Sequence, residues 1–230
     1  MKKLLFTILF LTLGTAGGGA REDAQAAYER KDYATAIKLW RPLADSGDAY
    51  AQTNIGLMYE KGQGVLQNYK EAVRLYRLAA AQGEAGAQHS LGYMYDMGRG
   101  VTKDDKEAVR LYRLAAEQGL AVAQFNLGNA YTNGQGVLQD YKEAVKWLRL
   151  AAAQGDTDAQ SNLGLMYERG QGMLQDYVRA HMWYNLASAA GGSQFGNKNR
   201  DNIAKKMTPQ QIEKAQEMAK ACQARNFKGC

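Results

Sequence analysis

The chain is poor in the residues that most often carry chemistry or interrupt a helix. Its 230 residues include two histidines, two cysteines and two prolines. His89 and His181 belong to no His-x-x-x-His or Cys-x-x-Cys arrangement, so no zinc site of known spacing is present and no metal ligands are expected. There is no Gly-x-Ser-x-Gly elbow and no Ser-x-x-Lys motif. Catalytic residues and cofactors are therefore not expected. Pro42 and Pro209 leave a stretch of more than 160 residues between them free of helix breakers. Long apolar runs are also missing. The one apolar segment, Leu4 to Leu13, is too short to span a bilayer, so no transmembrane segment is expected in the mature chain.

That short run sits in a leader-like context. Lys2 and Lys3 precede it and the small residues Gly14 to Ala20 follow, so residues 1–20 read as a secretory signal cut before Arg21. Export is the expectation, to the periplasm first and to the medium as the alternative. In an oxidising compartment Cys222 and Cys230 are placed to form a disulfide that closes a small C-terminal loop. Loss of Lys2 and Lys3 lowers the net charge from +6 to +4, too mild and dispersed an excess to suggest nucleic acid.

What the chain has in abundance is repetition. From Asp48 to Gly192 the sequence recurs with a period of 36 residues. Gly56, Gly92, Gly128 and Gly164 share one column, and Gly62, Gly98, Gly134 and Gly170 another. Gly64, Gly100, Gly136 and Gly172 form a third, and tyrosines fall at 59, 95, 131 and 167. A period of this size signals a stacked array. Within Asp48–Gly83, Ala51, Ile55, Met58 and Tyr59 mark one face of a first helix, which Gly62 ends. A second helix of about 15 residues opens at Asn68, with Glu71 placed for a capping box. Its buried stripe is Ala72, Leu75, Tyr76 and Ala79. A glycine inside a helix costs roughly 1 kcal/mol relative to alanine. The recurring Gly56 column therefore implies that a bulky second-helix residue such as Tyr76 fills the space above it. The Gly-x-Gly loops read as structural turns, because they lack the spacing and preceding strand of a phosphate-binding loop.

The unit resembles the Sel1-like repeat, an αα-repeat related to the tetratricopeptide repeat. The residues that carry the resemblance are Ala51-Gln52-x-Asn54-x-Gly56-x-Met58-Tyr59, Gly62-x-Gly64-Val65 and Tyr69-x-x-Ala72-x-x-x-Tyr76-x-x-Ala79-Ala80-x-x-Gly83. The resemblance implies an all-α solenoid of αα-hairpins with a right-handed superhelix, acting as an adaptor for a protein or peptide. The expected organisation is a leader (1–20), a shortened N-terminal capping repeat (21–47), four repeats (48–83, 84–119, 120–155, 156–192) and C-terminal capping helices with a tail (193–230). A monomer is expected.

Comparing the copies with one another separates fixed columns from variable ones. The variable first-helix columns hold Tyr50, Thr53, Leu57 and Glu60 in the first repeat and His89, Tyr93 and Met97 in the second. Phe125 and Asn129 follow in the third, and Ser161, Leu165 and Arg169 in the fourth. Their spacing of three and four residues puts them on one helical face. They are the candidate partner-binding strip, concave in a stacked array. Basic residues of the second helices, among them Arg74, Arg77, Arg110, Arg113, Lys146 and Arg149, interleave with glutamates and read as a solvated face. Two other functions remain open. One is binding, with weak hydrolysis, of a cell-wall fragment or β-lactam, as described for cysteine-rich relatives of this family. The repeats here carry no cysteine, which weakens that reading. The other is a structural spacer.

Overall fold

A computed structural model describes residues 16–189 and 194–230, which form twelve helices and no strand. They are α1 (Ala16–Glu29), α2 (Tyr33–Asp45), α3 (Ala49–Lys61), α4 (Tyr69–Ala81), α5 (Ala85–Met97) and α6 (Asp105–Glu117). Then come α7 (Ala121–Asn133), α8 (Tyr141–Ala152), α9 (Thr157–Arg169), α10 (Tyr177–Ala189), α11 (Gln194–Ala204) and α12 (Pro209–Ala224). The proposed leader lies outside the described residues up to position 15, and α1 begins within its last five. The chain forms two compact units, one ending at Gln82 and one starting at Gly83. In the first, α1 to α4 pack consecutively around Trp40, Ile55 and Met58. In the second, α5 to α10 pack consecutively and α10 also carries both α11 and α12. No described helix is long and apolar enough to cross a membrane.

The four hairpins α3–α4, α5–α6, α7–α8 and α9–α10 fall within the four periods. Second helices of 12 or 13 residues are shorter than the spacing suggested. Each first helix ends on a left-handed glycine, with φ of 67° at Gly62, 65° at Gly98, 68° at Gly134 and 67° at Gly170. Each second helix is capped by the expected residue: Asn68, Asp104, Asp140 and Asp176 accept from the backbone N–H three residues on. The reciprocal half of the expected capping box does not form. The N–H of each cap residue donates to the carbonyl of Tyr59, Tyr95, Tyr131 or Tyr167 at the end of the first helix. Glu71 and Glu107 turn instead to Arg74 and Arg110, and Glu143 to Lys146. A complete capping box occurs at Thr208 and Gln211 of α12.

The mid-helix glycines have the packing role that their recurrence implies. A Cβ at Gly56 would sit 2.7 Å from the Tyr76 ring, one at Gly164 2.6 Å from the Tyr184 ring, and one at Gly128 2.7 Å from Leu148. First and second helices therefore meet with a backbone pressed against a large side chain.

Three further contacts join successive hairpins within each unit. The buried glutamines Gln52, Gln124 and Gln160 donate to the last-turn carbonyls of Ala44, Ala116 and Ala152 in the preceding hairpin. Arg41, Arg113 and Arg149 reach forward to the hydroxyls of Tyr59, Tyr131 and Tyr167 and lie over their rings. The second glycine of the loop, at 64, 136 and 172, presses on the first turn of the preceding second helix. Part of the basic face read as merely solvated is thus inter-repeat fastening.

At the C-terminus, Cys222 and Cys230 are bridged. Asn226 and Phe227 between them adopt φ of 48° and 63°, and the Phe227 ring reaches Gly155 at the end of α8. Replacing both cysteines by serine is expected to lower unfolding stability by up to about 2.5 kcal/mol, the chain-entropy value for so short a loop. Chemical denaturation with and without reductant measures it.

Candidate functional site

The structure divides the proposed strip into residues that face solvent and residues that join neighbouring repeats. In its first column, which runs Tyr50, Gly86, Val122 and Asp158 through the repeats, Tyr50 is 39% and Val122 40% exposed. The Tyr50 hydroxyl also donates to Gln25 of α1. At the strip's far end Met97 is 48% exposed, and Arg169 is exposed as well. Leu57, Tyr93 and Leu165 are half-buried, with the Arg99 guanidinium 5.4 Å over the Tyr93 ring.

The column of Thr53, His89, Phe125 and Ser161 departs from expectation. Thr53 is half-buried and bonds back to the Ala49 carbonyl. His89 Nε2 lies 3.1 Å from Asn126 Nδ2, and its ring sits 5.7 Å from that of Tyr112. Phe125 packs onto the core shared by its own second helix, the fourth repeat and the C-terminal helices. Ser161 is fully buried beneath Gly196 of α11. Asn129 likewise accepts from Asn162 at 2.7 Å. In the second unit His89 and Asn129 thus reach the next first helix, Ser161 reaches α11 and Phe125 joins the core, so they help form the stack and are poor candidates for partner contact.

Burial gives His89 a measurable signature. Desolvation lowers its pKa from 6.5 to about 4. The unfolded chain thus takes up a proton near pH 6.5 and the folded chain only near pH 4. The contribution of neutral His89 is complete above pH 6.5 and is lost as pH falls toward 4. Wild type is expected to lose about 2–3 kcal/mol across this window. The buried His181, whose pKa burial also lowers, adds in the same direction. A His89→Asn variant is expected to show a shallower loss, measured by urea denaturation at several pH values.

Glu60 of the strip and the acids that share its column, Asp96 and Glu168, are also structural. Glu60 accepts from the Tyr76 hydroxyl at 2.7 Å. Glu168 accepts from the Tyr184 hydroxyl at 3.0 Å and pairs with Lys206 at 3.2 Å. Asp96 accepts from the Tyr112 hydroxyl at 3.3 Å and from Gln135 at 2.8 Å. Gln135 also bonds Asp105, which pairs with Lys103 at 3.2 Å. Burial, followed by the charge of Asp96, pushes the Tyr112 hydroxyl well above its ordinary range. A polar cavity of 210 Å³ opens beside this cluster, lined also by Asn126 and Asn129.

Sequence reasoning missed the most exposed apolar residues. Leu66, Leu138 and Leu174 are 91%, 91% and 90% exposed in the loops after the first helices. Their signal was a leucine recurring in this loop in three of the four repeats, directly after Val65, Val137 and Met173. Among the described residues no group of three or more His, Cys, Asp or Glu side chains is placed to hold a metal ion.

Hairpins of fixed length, joined within each unit by the same contacts, define an αα-repeat protein. The Sel1 repeat model matches residues 25–48, 49–84, 85–120, 121–156 and 157–192, and the chain belongs to the Sel1 repeat family. The first matched segment is the shortened N-terminal repeat. A Sel1 repeat protein from Oxalobacter formigenes is 36% identical over 76% of this chain and 70% of its own, with a TM-score of 0.72. The protein c5321, described as a protective antigen of uropathogenic Escherichia coli with the same fold, is 30% identical, with a TM-score of 0.60. That similarity covers 91% of this chain, which spans about half (54%) of the c5321 chain. A Sel1 repeat protein from Klebsiella pneumoniae, 21% identical with a TM-score of 0.54 over 80% of this chain and 91% of its own, shares the fold. No functionally curated protein matches the chain.

Proposed function

We propose that the chain is an exported, non-enzymatic adaptor that holds a protein or peptide on the accessible part of its first-helix face. Family membership supports the general role, since Sel1 repeats suggest a scaffold for protein interactions. The observation that carries the finer reading is the exposure of Met97 and Val122, apolar residues on helices whose other large apolar residues are wholly or partly buried. With Tyr93 half-buried one turn before Met97 on α5, the face offers the kind of aromatic and methionine anchors on which partner energetics concentrate. Export is supported by the leader-like start and by the disulfide. The likeness to c5321, an antigen, is consistent with it.

The test is capture of partners from a cell-envelope extract by immobilised protein. A Met97→Ala/Val122→Ala double variant is expected to lose at least about ten-fold in capture, as removal of one or two anchors does, with unchanged melting, since both side chains are exposed. Undiminished capture would refute this face as the partner site. Phe125, first expected to belong to the strip, is left intact because its substitution would disturb the core.

A further inference from the structure

The fourth repeat breaks the charge pattern of the second helices. In the three preceding repeats, Glu71, Glu107 and Glu143 each pair with a base three residues on. The fourth has Arg179 in the glutamate column and Met182 in the column of the base. This exchange strands a buried donor. Trp147 donates its indole Nε1–H to Glu143 at 3.1 Å. Trp183, at the same position one repeat later, is 2% exposed, and its Nε1 has no hydrogen-bond partner among the described residues.

A cavity of 470 Å³ opens at this place, walled by Arg149, Tyr167, Arg179, Trp183 and Phe227. Arg149 and Arg179 lie 5.9 and 5.8 Å from the centroid of the Tyr167 ring. The hydrogen bond of Arg149 goes to a neutral group, the Tyr167 hydroxyl at 2.7 Å. The acid paired with Arg179 is Asp176, at 3.7 Å, beyond hydrogen-bond reach. Two guanidinium groups, neither hydrogen-bonded to a carboxylate, therefore line a space of small-molecule size together with Trp183, whose buried indole N–H is unsatisfied.

We propose that this cavity binds a small organic carboxylate with an apolar body. The carboxylate supplies the acceptor that Glu143 supplies one repeat earlier, bonded by the guanidinium groups and the Trp183 N–H. The body lies against Tyr167 and Phe227. Charge-assisted bonds of this kind are the strong ones, and the buried indole N–H gains the partner it otherwise lacks. The pocket is built by α8, α9, α10 and the disulfide-closed tail, and none of its lining residues is among those assigned to the first-helix face.

The test follows the Trp183 Nε1–H resonance of the full chain by NMR, assigned with a Trp183→Phe variant. The probes are benzoate, its neutral isostere benzamide, a short peptide ending in phenylalanine with a free carboxylate, and inorganic phosphate. Benzoate or the peptide is expected to shift the resonance saturably, with benzamide about ten-fold weaker. The stronger of the two identifies the source of the carboxylate. Arg179→Glu is expected to restore the internal acceptor of the third repeat, abolish the benzoate response and leave melting no lower. Should that variant fail to fold, Arg149→Gln is expected to weaken benzoate about ten-fold. The proposal is overturned by an equal response to benzamide, by a response to phosphate alone, or by an undiminished response in the folded arginine variant. Absence of any saturable shift up to about 20 mM, well above the millimolar range of a few-contact ligand, overturns it as well.

Discussion

Substituting Gly136 with alanine is expected to remove about 3 kcal/mol or more of stability, which denaturant titration would measure. Two separate costs combine there. Gly136 has φ of 70°, a conformation costing an L-residue roughly 1–2 kcal/mol. The added methyl would also lie within 3.0 Å of the Lys106 amide nitrogen and closer still to the Asp105 carbonyl. Those are backbone atoms at the start of α6, unable to swing aside as a side chain does, so the loop or the preceding helix must move. Overpacking of this kind typically adds about 1–3 kcal/mol. Gly134 in the same loop separates the two costs. Its φ is 68°, but its nearest neighbour is the Gln139 Cβ at 3.4 Å. Gly134→Ala is expected to lose only the conformational part, about 1–2 kcal/mol. Equal losses at the two positions would show that the contact with α6 is not what fixes Gly136.

Gly92→Leu is expected to be at least as damaging, losing about 3 kcal/mol or more through overpacking of a closed interface. A Cβ alone would meet the Tyr112 ring at 2.9 Å and the Ala108 carbonyl at 3.2 Å, before the rest of the leucine is placed. Tyr112 has no free direction of retreat, being 3% exposed with its hydroxyl on Asp96. The test of mechanism is compensation. Tyr112→Ala vacates the volume that the introduced leucine needs, so the double variant is expected to be more stable than the sum of the single losses predicts, by at least about 1 kcal/mol of coupling. Strict additivity would mean that the glycine and the tyrosine act separately.

These two glycines also show how much was legible beforehand. A glycine that recurs inside a helix contradicts local propensity, and only packing resolves the contradiction, so the partnership of Gly56 with Tyr76 could be inferred from sequence. The hairpins and their glycine ends followed from period and turn chemistry. The capping box of Asn68 and Glu71 failed because spacing reports which groups are near, not which partner wins. The Asn68 N–H was already held by Tyr59, and Glu71 had an arginine within reach. The strip was partly legible for a related reason. A spacing of three and four residues defines one face of one helix but not the helix beside it. Met97 and Ser161 share that face in the sequence, yet Met97 is half exposed and Ser161 lies beneath α11. The consequence of Arg179 became visible only with Trp147 bonded to Glu143 and Trp183 left without an acceptor.

The joints between hairpins carry a consequence for how such a chain changes in length. The boundary between the N-terminal repeat and the first full one uses Gln52 on Ala44, Arg41 on Tyr59 and Gly64 on Tyr33. The boundaries on either side of the third repeat use the same three residue types in the same register. The third repeat therefore presents to its predecessor what its successor presents to it, a translational symmetry along the chain. Excising or doubling that 36-residue segment in register recreates joints already present and creates no new kind. Copy number becomes an inherited dial, able to lengthen or shorten the molecule in whole steps while each seam stays the same.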